Sequence, residues 1–138
     1  MDFTGFSNFE NDTANNFVSD VILNGYGMIR IAIERITDDE DPASILECEE
    51  ALIAVEFIAA ALNRPARDFP DEANEWLSLN APEGSMEYEE LIALTDKAAD
   101  AIDRILTESE LKELWDDTDA HDIWFNAQQE LQNRLLGE

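Results

Sequence analysis

Histidine and cysteine each occur once in these 138 residues, and only eight residues are lysine or arginine. Each scarcity closes off a chemistry. Cys48 has no partner, so the chain forms neither an internal disulfide nor a thiol-rich zinc motif, and its setting in "LECEEAL" suits a small buried hydrophobe. His121, the only imidazole, lies in "DTDAHDI" among carboxylates, where a solvated residue at a helix start is the expected role. Ser-His-Asp and Cys-His arrangements therefore have no second base to draw on. The five glycines form no phosphate-cradling loop. No apolar run reaches the roughly 18 residues of a membrane-spanning helix, and none follows a basic start as in a signal peptide. The expected location is the cytoplasm.

The shortage of cations has the widest consequence. Against eight of them stand 33 aspartates and glutamates, for a formal charge of −25. Direct binding to DNA or RNA needs a basic footprint, and an anionic membrane surface repels such a chain in the same way. A charge of this size keeps a protein soluble and steers basic partners toward it, while like charges repel within the compact state.

What is present reads as helix. In "FENDTANNFVSD", Asp12 is a good N-cap, with Asn11 as the alternative, and Ala14, Phe17, Val18, Val21 and Ile22 follow at the spacing of one helical face. Asn24, Gly25 and Gly27 interrupt that pattern before Met28, Ile29, Ala32, Ile33 and Ile36 resume it. "IRIAIERI" also alternates like a strand, but Ile36 fits only the helix, so a kinked or broken first helix should end near Ile36. "TDDEDP" is a boundary, with Asp41 as cap and Pro42 at the first position of a second helix reaching about Leu62. Its inward face should carry Ile45, Cys48, Leu52, Val55, Ile58, Ala59 and Leu62, leaving Glu47, Glu50 and Glu56 in water.

Two prolines in "NRPARDFPDE" then break the pattern, and a short helix from Asp71 to Leu79 should carry Trp76 inward. Arg64 and Arg67 flank Pro65 and are expected to cap the second helix's carbonyl end and pair with nearby acids. After the "NAPEGS" turn a third long helix should run from Met86 to Leu106, with Leu91, Leu94, Ala98, Ile102 and Ile105 in one stripe. Thr107 and Glu110 form a candidate capping box for a short helix that buries Leu114 and Trp115. "DDTDAHD" precedes a last helix with Ile123, Trp124, Ala127, Leu131 and Leu135. No segment survives as a strand and no fixed repeat appears. The expected fold is all-α: a single acidic helical domain over 1–138, a bundle of about three long and two or three short helices.

The segments "FENDTANNFVSDV", "EEALIAVEFIAAALNRPARDFPDEANEWL" and "AIDRILTESELKELW", with a later tryptophan and "LQNRLL", together resemble a bacterial family catalogued as domain of unknown function 4259. The likeness covers nearly the whole chain, and Phe9, Asn11, Asp12, Pro65, Pro70, Trp76 and Trp115 are its most individual positions. The family typically opens with Gly-Ala-Trp-Gly before its Phe-x-Asn-Asp; here "DFTGF" keeps Gly5 and lacks the tryptophan. The resemblance implies a small helical domain and supplies no activity.

Asp116, Asp117, Asp119, His121 and Asp122 crowd hard or borderline metal ligands into one loop, yet neither this loop nor Asp38 to Asp41 has the EF-hand order. The Glu-x-x-His pattern of di-iron bundles is missing too. No cofactor is expected. The charge favours a protein-binding module that docks onto a basic protein surface, in the manner of immunity proteins or nucleic-acid mimics. The contact residues would be Asp38, Asp39, Glu40 and Asp41, then Glu87, Glu89 and Glu90, then Asp116, Asp117, Asp119 and Asp122. The alternative is a metal-dependent hydrolase built on the loop around His121. Partner identity and oligomeric state are not written in these residues.

Overall fold

The computed structural model describes residues 8–9, 12–38 and 43–137. Among them are eight helices and no strand, so the fold is all-α. The apolar face of the first segment folds as read: α1 (Asp12–Asn24) buries Ala14, Phe17, Val18 and Val21. Asp12 is already helical, and the alternative cap Asn11 lies outside the described residues. Gly25 breaks the helix with φ 96°, a conformation that costs a residue with a Cβ far more. α2 (Gly27–Thr37) follows, burying Ile29, Ala32, Ile33 and Ile36 while Ile31 is 43% exposed. A strand would have put Ile29, Ile31 and Ile33 on one face, so the helical period wins.

α3 (Ile45–Ala61) is the centre of the molecule. Its start corrects the expected one at Pro42: Ser44 is the cap, its hydroxyl accepting from the Glu47 amide at 3.2 Å while the Glu47 carboxylate accepts from the Ser44 amide at 3.1 Å. The reciprocal capping box satisfies two otherwise orphaned donors, which the proline cannot match. Asp41 and Pro42 themselves lie outside the described residues. Every residue from Ala51 to Ala59 is buried, and α3 packs against each of the other seven helices. Two expectations fail here. Ile45 stands at the exposed edge, and Glu56, expected in water, is only 3% exposed.

α4 (Asp71–Asn80) carries Trp76 onto the core as expected, its ring edge-on to Phe57 at 6.0 Å. The long third helix is in fact two, α5 (Met86–Ile92) and α6 (Thr95–Thr107). Between them the Leu94 amide bonds the Leu91 carbonyl and the Thr95 hydroxyl takes the Ile92 carbonyl at 2.7 Å. This local tightening needs neither glycine nor proline. α7 (Glu110–Asp116) is capped by Ser109, not Thr107. The Thr107 hydroxyl turns back to the Asp103 carbonyl, whereas Ser109 accepts from the Lys112 amide at 3.0 Å. α8 (His121–Leu136) buries Trp124, Gln128, Leu131 and Leu135 and ends at Gly137 with φ 77°. Ile123 in its first turn is 38% exposed. All eight helices contribute to one core cluster.

Candidate functional site

The predicted contact acids fall into groups. Asp38 closes α2, exposed, 3.9 Å from the Lys97 ammonium, which also meets Glu34 at 3.2 Å. Asp39, Glu40 and Asp41 lie outside the described residues. On α5, Glu89 and Glu90 are exposed and Glu87 is half-buried, with Glu90 accepting a hydrogen bond from the Tyr26 hydroxyl. Asp116, Asp117, Asp119 and Asp122 are all exposed around the α7–α8 turn. Among the described residues no hydrogen bond or ion pair joins the α5 acids to that turn.

Most of the cations are engaged within the fold. Arg30, Arg35, Lys97, Lys112 and Arg134 each lie in an ion pair with a carboxylate. Among the described residues Arg64 forms no ion pair with an acid, contrary to expectation; its guanidinium donates to the Arg134 carbonyl at 3.1 Å, and the Arg134 guanidinium donates to the Arg64 carbonyl at 3.0 Å. The two arginines thus clasp the carboxyl ends of α3 and α8.

At the α7–α8 turn His121 Nε2 lies 2.9 Å from Asp116 and Nδ1 lies 3.5 Å from Asp122. Lys112 is paired to the same Asp116, whose carboxyl it holds below its ordinary range. Among the described residues no three His, Cys, Asp or Glu side chains converge on a point fit for a metal ion. The Trp115 and Trp124 rings stack at 6.1 Å with 8° between their planes, and His121 leans on Trp124 and Phe125. Trp124 is buried at 2%, Trp115 only half-buried, and Leu114, expected in the core, is 48% exposed. α7 turns Leu111 inward, at 3% exposed, and Leu114 outward.

A buried polar network was not foreseen. Glu56 receives Arg134 at 3.1 Å and the Asn8 amide at 3.1 Å, and Asn8 exchanges two hydrogen bonds with Gln128, at 2.9 and 3.1 Å. Gln128 is fully buried in the apolar stripe of α8. Burial pushes the Glu56 carboxyl above its ordinary range, against the opposing pull of Arg134 and Asn8. Glu49 and Glu50 on the same helix are raised by burial as well. A carboxyl whose folded-state pKa exceeds its unfolded one binds its proton first in the folded state, so its penalty above that pKa is relieved as pH falls through it. Melting temperature should therefore rise as the pH is lowered from neutrality toward the carboxylate range. Relief of repulsion among the other acids acts in the same direction. A melting temperature that falls over that interval contradicts both effects.

Cys48 is fully buried, its thiol directed at the Ala43 carbonyl at 3.8 Å and pushed up to about 11 by burial. It is a core side chain, as the sequence suggests.

An open cleft of about 260 Å³ lies where α3 and α4 end and α5 begins. Ala60, Ala61 and Asn63 bound it from α3 and its exit, Asn74, Leu77 and Ser78 from α4. Pro82, Glu83 and Tyr88 close the third side. Neither α3 nor α4 has a basic residue in its last turn. Nothing in the hydrophobic pattern marks this cleft; Pro65 and Pro82, each four residues beyond a last-turn residue that lines it, Ala61 and Ser78, are the one signal that bears on it.

No curated protein and no solved structure matches the chain. No helix among the described residues is long and apolar enough to cross a membrane. The model of one family, described as Domain of unknown function (DUF4259), matches residues 4–127. The chain therefore belongs to that family.

Proposed function

We propose that this protein is an acidic helical binding module that docks onto a basic protein surface and masks it, as an immunity-type or nucleic-acid-mimic inhibitor does. The observation that carries the reading is how the charge is distributed. Among the described residues at least five of the eight cations are held in ion pairs within the fold, and acids such as Glu89, Asp117 and Asp119 have no cation of the described residues within ion-pair distance. The negative field is thus left to face outward, where it steers oppositely charged partners and excludes acidic ones. Asp38, the α5 acids and the acids of the α7–α8 turn are the proposed contacts.

The direct test is capture from the protein's own host at low and moderate salt. Recovery of a basic protein whose activity is blocked supports the reading; failure to recover any basic protein at either salt removes it. Salt also separates a functional charge from a solubilising one. Like charges in one small domain lie within a Debye length, about 10 Å at 0.1 M, so sodium chloride should raise the melting temperature by screening repulsion. The association rate with a basic partner should drop steeply over the same range. A captured partner that binds equally fast at both salts leaves the charge a solubility device.

A further inference from the structure

We propose that the cleft at the ends of α3 and α4 receives an arginine side chain of the basic partner; this rests on the binding-module reading and gives it a specific seat. Three independent features of the cleft favour a cation. The first is backbone polarity. A helix ends with carbonyls that lack intrahelical donors and carry partial negative charge, and two such ends converge here. The Ala61 carbonyl would accept from residue 65 and the Ser78 carbonyl from residue 82, but these are Pro65 and Pro82, which have no N–H to give. Both Ala61 and Ser78 line the cleft.

The second feature is the absence of a built-in counter-charge. Neither helix carries a basic residue in its last turn, and Arg64, the nearest candidate just past α3, is turned away onto the Arg134 carbonyl. The third is the wall opposite. Glu83 supplies a carboxylate and Tyr88 an aromatic ring, while Leu77 and Ala60 give the apolar floor along which a long side chain lays its methylenes. Arginine suits this set better than lysine, because a planar fork of donors reaches carbonyl and carboxylate acceptors together and stacks on the tyrosine. Leu79 and Met86 are 74% and 72% exposed, next to Ser78 and two residues before Tyr88 in the chain. They offer the partner apolar contact beside the cleft, as an anchor in a pocket requires.

The test uses the full chain, isotope-labelled, titrated with a blocked Gly-Arg-Gly tripeptide at about 0.15 M sodium chloride, where surface attraction is largely screened. Blocked Gly-Lys-Gly and Gly-citrulline-Gly serve as comparisons. Saturable amide shifts centred on Asn63, Ser78 and Tyr88 are expected with the arginine peptide, weaker ones with lysine, and none with citrulline. Ser78→Trp, which fills the cleft from an exposed helix position, should abolish saturation. Glu83→Gln should weaken binding roughly two- to fivefold, the range of an exposed ion pair. Glu108→Gln, an equal charge change at an exposed site outside the cleft, should bind like the parent. Shifts that gather at the α7–α8 turn and persist in Ser78→Trp overturn the cleft while leaving the basic-partner reading in place. Absence of any saturable shift also overturns the cleft, and host capture then decides the broader reading alone.

Discussion

Glu56→Ala should destabilise the protein by about 3–5 kcal/mol, the range for removing one partner of a buried ion pair. The loss has two sources. Arg134, whose side chain is 18% exposed, keeps only Glu130 and a carbonyl as acceptors, and Asn8 loses its bond to the carboxylate at 3.1 Å. Glu56→Gln keeps the shape and an acceptor and mimics the neutral carboxyl that burial favours, so it should cost far less. Replacing both partners, as Glu56→Leu with Arg134→Met, should recover part of the loss, since an apolar pair leaves no stranded charge. Urea unfolding of the three variants measures this. A Glu56→Ala midpoint equal to the parent's would mean that the carboxylate is solvated, contrary to its 3% exposure.

Trp124→Ala should cost about 3–5 kcal/mol, the usual range for truncating a buried tryptophan. Trp115→Ala should cost distinctly less, because its ring covers Trp124 from one side and is itself half in water. The pair is a controlled comparison: two indoles in one stack, differing mainly in burial. Equal losses in urea unfolding would show that Trp115 is as buried as its neighbour and would remove the exposed aromatic face from the α7–α8 turn.

The helical period of α1, α2 and α8 and the turn at Gly25 were legible because they rest on local spacing and backbone permissiveness. The sequence was misleading where two local signals competed. Asp41-Pro42 is a good helix start by composition, but Ser44 with Glu47 satisfies more donors three residues later. Thr107 and Glu110 have the spacing of a capping box, yet Ser109 is the residue whose hydroxyl reaches the Lys112 amide. The break at Leu94 carries no glycine or proline and was invisible. Glu56 and Gln128 were hidden for a different reason. Each occupies a buried position whose polarity is answered only by residues 48 to 120 positions away, information that no local window contains. The cleft is legible in part, since Pro65 and Pro82 could be counted from the sequence. Their convergence could not.

The centrality of α3 also bears on how the chain acquires its structure. A helix surrounded on every side needs α6, α7 and α8 as well as α1 and α2, and those later helices follow α3 in the order of synthesis. Until then its unbroken buried stretch from Ala51 to Ala59 is uncovered, the kind of surface through which nascent chains associate. Mutual repulsion between copies opposes that association during the same interval. The carboxylates of "TDDED" and "LECEE", just ahead of the stretch, are already synthesised by then. The charge that sets copies of this chain against one another is thus in place, by its position in the sequence, before the apolar stretch that follows it.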